Sequence, residues 1–203
     1  MVRKMLILGC AALSLMAVSC AAPASGTKVA RVEADAAMDL SGRWNDTDSR
    51  LVADEMIKDA LNQRWIFKWE NEQKVPTVIV GRVTNRSHEH ISVQAFVKDI
   101  ERALINSGRV EFVASREERE GIRDEREDQQ VHASVQTRSD MGEESGADLM
   151  MIGNINTIVD QEGKRSVIYY QINMELIELE STKKVWIGEK KIKKYVERAT
   201  AKF

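Results

Sequence analysis

The chain has 203 residues, a formal net charge of −2, 43% hydrophobic residues and 31% charged residues. This composition suits one folded domain, or a domain with a tail, and excludes a fibrous chain or one that is disordered throughout. The slight acidity argues against nucleic-acid binding, because proteins that bind nucleic acids usually carry a strongly basic face.

The N-terminal segment predicts an export signal. Arg3 and Lys4 precede an apolar stretch over residues 5–18, which is shorter than the roughly 20 residues that a membrane-spanning helix needs. A basic start, a short apolar core and small residues at the end are typical of signal peptides, so we assign residues 1–19 to one. A buried N-terminal helix is disfavoured, because no polar face interrupts the stretch.

Both cysteines of the chain, Cys10 and Cys20, lie in its first twenty residues, where they cannot cross-link the rest of it. Residues 17–20, AVSC, resemble the lipobox of bacterial lipoproteins, and residues 7–10, ILGC, resemble it as well. Cleavage before Cys10 would leave too short an apolar core, so we expect Cys20 to be the lipid attachment site. The resemblance implies a diacylglyceryl thioether and an acylated amine on Cys20, and several acyl chains anchor far better than one.

Residues 20–40 are small, polar or charged, and we interpret them as a lipidated flexible tether before a globular domain over residues 41–203. About twenty flexible residues span roughly 25 Å on average, and at most ~70 Å when fully extended. Ala21 follows the cysteine. In enterobacterial sorting, a residue other than Asp at this position indicates the outer membrane.

The first half of the predicted domain alternates helices and strands. Asp46 or Asp48 can cap a helix whose apolar positions share one face: Val52, Ala53, Met56, Ile57, Ala60 and Leu61. Residues 76–85 predict a strand, and residues 92–108 a second amphipathic helix that ends at Gly108. This helix places four apolar residues on the core side: Phe96, Ile100, Ala103 and Leu104.

A short strand over residues 109–114 precedes a charged helix over residues 116–127, which Ser115 and Glu118 begin with a capping box. Residues 138–146 predict a further short helix. Three strand-like runs complete the chain, and the middle one alternates apolar and polar residues from Ile168 to Leu176. The predicted fold is a single small α/β domain, with a mixed sheet flanked by helices and a C-terminal antiparallel meander.

The candidates for catalysis are weak. His88 and His90 flank Glu89, but only His132 remains as a third histidine, so a solvated turn is favoured over a metal site. Neither a nucleophile motif nor a glycine-rich phosphate loop is present, and no motif frames the carboxylates of the last strands: Glu175, Glu178 and Glu180. We therefore predict a protein that is not an enzyme and that has no metal and no cofactor.

Three features leave a structural and a binding interpretation open. The charged helix is interpreted as a solvated helix or a partner surface. Trp44 is expected to pack onto the domain or to contact a partner. Six lysines of the last hairpin protect a sheet edge, or form a docking patch for an acidic partner or an anionic polymer: Lys183, Lys184, Lys190, Lys191, Lys193 and Lys194.

The ordered motifs together resemble the LpoB family over residues 40–194. These motifs are a lipobox, SGRWND, VGRVTNRS, ALINSGRVEFVAS, TRSDMGEESGADLMMIGNI and STKKVWIGE. The resemblance implies a fold like the N-terminal domain of TolB and an outer-membrane lipoprotein that faces the periplasm. It also implies that the protein binds and activates a class A penicillin-binding protein and so regulates peptidoglycan synthesis.

Peptidoglycan itself is a further contact that the resemblance leaves open. The alternative function is a structural or secretion-associated lipoprotein related to the curli secretion subunit. A secretion pore would need long strands that face lipid, whereas the last three runs are rich in charge. A cell-wall hydrolase is a third hypothesis, and it lacks a recognisable nucleophile or metal cluster.

Overall fold

The computed structural model describes residues 29–139 and 142–198. The chain divides into two units, Met1–Ala34 and Asp35–Phe203. In the first unit, residues 29–34 contain no helix or strand. The second unit holds all the elements described below.

The first helix, α1 (Asp46–Ala60), buries the whole apolar face that its sequence predicts. Its N-cap is Asn45, so the prediction of Asp46 or Asp48 as the cap was wrong. The Asn45 side chain accepts from the Asp48 N–H at 3.0 Å, and the Asp48 carboxylate accepts from the Asn45 N–H at 3.0 Å. Asp48 is thus the third helical residue, where a carboxylate completes a capping box.

A second helix, α2 (Arg64–Asn71), was not predicted. It buries Trp65 and Ile66, and the Trp65 indole N–H donates to the Ala60 carbonyl at 2.8 Å. This bond satisfies one of the carbonyls that the end of α1 leaves without a helical partner. Tertiary packing of two residues therefore stabilises a helix too short to be stable by itself.

Five strands form one sheet in the order β2-β1-β3-β4-β5. Their bounds are β1 (Thr77–Asn85), β2 (Glu111–Phe112), β3 (Leu149–Glu162), β4 (Arg165–Glu178) and β5 (Lys184–Glu197). β1 pairs in parallel with β2 and β3, whereas β3, β4 and β5 pair antiparallel. The predicted mixed sheet with a C-terminal meander is confirmed.

Two helices connect the parallel strands. α3 (Val93–Asn106) lies between β1 and β2, and Gly108 follows it with φ +65°, a conformation that glycine adopts without strain. α4 (Arg116–His132) leads from β2 to β3 and begins with the predicted Ser115–Glu118 capping box. α4 extends five residues beyond the predicted end at Glu127.

The core lies on one face of the sheet. β4 contributes four alternating buried residues, and α1 and α3 contribute their apolar faces to the same cluster. The residues from β4 are Tyr170, Ile172, Met174 and Leu176. The predicted alternation in β4 is therefore confirmed, as is the burial of Phe96, Ile100 and Leu104 in α3.

The predicted short helix over residues 138–146 was wrong for the part of it that is described, because residues 142–147 are not helical. Gly142 and Gly146 both raise the entropic cost of a helix there. The segment instead contacts α4, where the Arg123 guanidinium donates to both oxygens of Glu144 at 2.7 and 2.8 Å.

Candidate interaction surface

The polar residues that were considered for catalysis lie in several parts of the domain: a loop after β1, α4 and β4. Within residues 29–139 and 142–198, no three His, Cys, Asp or Glu side chains are placed to hold a metal ion. The His88 Nδ1 atom lies 2.9 Å from the Thr157 hydroxyl, and His132 lies on the exposed end of α4 beside Asp128. Glu175 pairs with Lys184 across the last hairpin.

Glu89, between the two histidines, has a structural partner that the sequence did not reveal. Its carboxylate accepts from the Tyr170 hydroxyl at 2.8 Å and from the Trp44 N–H at 3.0 Å. The Tyr170 hydroxyl also lies 3.0 Å from the Gly42 carbonyl. Burial and the nearby Glu89 charge raise the pKa of Tyr170, so the phenol stays protonated and donates.

Trp44 packs onto the domain, as predicted. Its ring meets Phe96 edge-on at 6.2 Å and Tyr170 at 5.6 Å between centroids. Together with Glu89 and Tyr170, it fixes the segment that enters α1 against the core. The sequence pattern does not indicate the hydrogen bond from Tyr170 to Gly42, because these two residues are 128 positions apart in the chain.

A buried ion pair fixes the same entry segment to β5. The Lys194 ammonium lies 2.6 Å from Asp48 and 2.9 Å from Asp39, and it donates to the Arg43 carbonyl at 3.2 Å. The side chains of Lys194 and Asp48 are only 12% and 9% exposed. Hydrogen bonds from Lys194 and Asn45 lower the pKa of Asp39, so its carboxylate stays charged near neutral pH.

Of the other lysines of the last hairpin, Lys183 precedes β5, the edge strand of the sheet, and the rest lie along it. Three of them pair within the domain: Lys184 with Glu175, Lys190 with Glu55, and Lys191 with Glu189. With Lys194 included, four of the six lysines therefore have carboxylate partners already. This arrangement favours edge protection over an open docking patch.

The opposite side of the sheet has a different edge. β2 pairs with β1 only at Thr77 and Val78, because the chain leaves β2 after Phe112 and enters α4 at Arg116. From Val80 to Asn85, β1 has no strand partner on this side in the part of the chain that the structure describes. We call residues 80–85 of β1 the open edge.

A groove of about 930 Å³ follows the open edge. Its walls come from β1, the start of α3 and the start of α4, and its apolar part includes Val83, Val93 and Val97. Arg82, Arg116 and Arg119 line it as well, with Glu117 as an acidic neighbour. The groove thus combines free backbone, apolar side chains and cationic groups.

The predicted attachment site, Cys20, and most of the predicted tether lie outside the described residues. The anchor therefore stays a prediction. Across residues 29–139 and 142–198, the helices are too short or too polar to cross a membrane.

Among its described residues, this small α/β domain leaves part of one sheet edge unpaired, where a further strand could pair. A family model described as "Peptidoglycan-synthase activator LpoB" matches residues 48–192. The chain belongs to the LpoB family.

Solved structures with a similar fold include two domains of the same family. The LpoB C-terminal domain from Salmonella enterica is 15% identical, with 71% of this chain and 98% of that chain covered and a TM-score of 0.41. The LpoB C-terminal domain from Escherichia coli is 14% identical, with 69% of this chain and 97% of that chain covered and a TM-score of 0.38. Lipoprotein GNA1162 from Neisseria meningitidis is 11% identical, with 62% and 88% covered and a TM-score of 0.40. None of the curated proteins compared with the chain matches it.

Proposed function

We propose that the protein is a lipoprotein of the outer membrane, anchored through Cys20, that binds and activates a class A penicillin-binding protein. The observation that carries this proposal is the family match, which spans nearly the whole folded domain. In this proposal the domain acts as a regulator and not as an enzyme, as the description of the family implies.

Activation by binding needs a preference for one state of the synthase. A domain that binds the active conformation more tightly than the resting one raises the active population by the ratio of the two affinities. The anchor and the tether hold the domain at the periplasmic side of the outer membrane, and the synthase is reached across the peptidoglycan layer.

A reconstituted assay tests the activation. The full chain, in detergent, is added to a class A synthase from the same organism, and consumption of lipid II and formation of crosslinked peptide are followed. We expect both rates to rise several-fold and to saturate with the added chain. Unchanged rates at concentrations where the two proteins bind would contradict activation, and absence of binding would contradict the partner.

Lipid labelling in cells tests the anchor separately. We expect Cys20→Ser to abolish incorporation of palmitate and to release the protein from the membrane fraction. Cys10→Ser is the matched control, because it removes the other cysteine from within the predicted signal peptide. Continued labelling of the Cys20→Ser variant would show that the wrong cysteine is assigned.

A further inference from the structure

We infer that the open edge of β1 binds an extended segment of a partner protein, which adds to the sheet as a further strand and carries a carboxylate side chain. The inference rests on the proposed function, because the partner meant is the synthase. The proposed function names neither a binding surface nor a mode of recognition, and strand addition at the open edge supplies both.

The backbone of β1 supports strand addition. The Glu111 N–H donates to the Pro76 carbonyl and the Val113 N–H to the Val78 carbonyl, both at 3.0 Å. Backbone groups alternate sides along a strand, so those of Val80 face the same way as those of Val78. Among the described residues no strand pairs with Val80 on that side. Such an edge is a template for an incoming strand.

The side chains that flank the open edge favour an extended peptide over a flat protein surface. Val83, Val93 and Val97 are half-buried at the groove, between β1 and the first turns of α3 and α4. Alternate side chains of an added strand point to opposite faces, so every second one would contact these valines.

The charges specify a carboxylate on that segment. The Arg82 side chain is exposed and has no hydrogen bond or ion pair among the described residues. A guanidinium binds a carboxylate through two parallel hydrogen bonds. Lys98, also at the groove, is already paired with Glu101 and Glu118. Arg82 is therefore the group that a partner carboxylate would contact.

Hydrogen–deuterium exchange tests the inference directly. The full chain in detergent is measured alone and with a saturating amount of the synthase, under conditions where activation of lipid II consumption is also recorded. We expect the backbone amides within residues 80–85 that face away from β3, Val80 among them, to exchange at least ten-fold more slowly in the complex. The amides of β5 should exchange at an unchanged rate.

A pair of charge reversals provides the matched control. Arg82→Glu changes an exposed residue at the open edge, and Lys193→Glu changes the charge equally at an exposed residue of β5, the other edge. We expect Arg82→Glu to weaken binding of the synthase ten-fold or more and Lys193→Glu to leave it within two-fold. Equal thermal unfolding of the two variants shows that both are folded.

The outcomes separate the two proposals. Activation by the wild-type chain without protection of residues 80–85, or with equal binding by the two variants, overturns the inference and leaves the proposed function intact. Neither binding nor activation by the wild-type chain overturns both. Protection of residues 80–85 in the chain alone, rising with its concentration, identifies a second copy as the occupant and overturns the inference.

Discussion

The two edges of the sheet differ in length, charge and backbone satisfaction. β5 is 14 residues long and carries lysines that mostly pair with carboxylates of the same domain. The open edge of β1 is short and lies in a groove with the Arg82 side chain, which has no hydrogen bond or ion pair among the described residues. A long strand edge invites aggregation unless charged side chains protect it. The difference indicates one protected edge and one that is free to bind.

We expect the largest loss of stability from a substitution on β5, the protected edge, at Lys194. Replacing Lys194 by Met leaves the Asp48 carboxylate buried without its counter-ion, beside Asp39. Loss of one partner from a buried pair costs about 3 kcal/mol of unfolding free energy. Urea unfolding of Lys194→Met and Lys193→Met measures this loss. Lys193→Met is the control, because Lys193 directly precedes Lys194 in the sequence and is exposed.

The Lys193→Met control should unfold within about 0.5 kcal/mol of the wild type, as surface substitutions usually do. Equal stability of the two variants would mean that Lys194 does not fix the entry segment to β5. The two edges would then differ less than we infer.

A smaller effect is expected at the buried tyrosine. Tyr170→Phe removes the hydroxyl that contacts Glu89 and the Gly42 carbonyl, and it leaves both acceptors short of a donor. We expect a loss of about 1–2 kcal/mol in urea unfolding. Tyr195→Phe is the control, because the Tyr195 hydroxyl contacts only the exposed Glu197. A Tyr170→Phe variant as stable as Tyr195→Phe would show that the contact with Glu89 contributes nothing.

We expect the smallest effect on stability from Glu118, which lies beside the open edge at the start of α4. Hydrogen bonds from Lys98 and the Ser115 N–H lower the pKa of Glu118 to about 2. A carboxylate whose pKa is lower in the folded than in the unfolded state stabilises the fold at pH values above the unfolded pKa, near 4.5. This contribution is lost as the pH falls from 4.5 toward 2. The side chain is 44% exposed, so we expect no more than about 1 kcal/mol.

Urea unfolding at pH 6 and pH 3 measures this contribution. The stability lost between the two values should be smaller in Glu118→Gln than in the wild type. Glu117→Gln removes the same charge from the same turn and should keep the wild-type difference. Identical pH dependence of all three proteins would contradict the role of Glu118.

Local patterns in the sequence predicted most of the fold. The apolar periods of α1, α3 and β4 and the Ser115–Glu118 capping box depend on residues close together in the chain, and the structure contains each of them. α2 was missed because it is only eight residues long and depends on the packing of Trp65 and Ile66. The cap of α1 was misplaced because Asn45 and Asp48 are both good capping residues.

The interaction surface could be predicted far less well. Lys194 stood out only as one of six lysines, and nothing local distinguishes the one that is buried against Asp48 from its neighbours. The open edge results from the two-residue length of β2 and from the position of α4, which are properties of the assembled sheet. Long-range pairing therefore decides where this domain can bind.

Site-specific photo-crosslinking in intact cells tests most directly whether the open edge, and not β5, contacts the synthase. A photoreactive residue replaces Gln94, exposed at the groove beside the open edge, or Lys193, exposed on β5. We expect an adduct with a class A penicillin-binding protein from position 94 and none from position 193. An adduct with that synthase from position 193 alone, or from neither position, would contradict it.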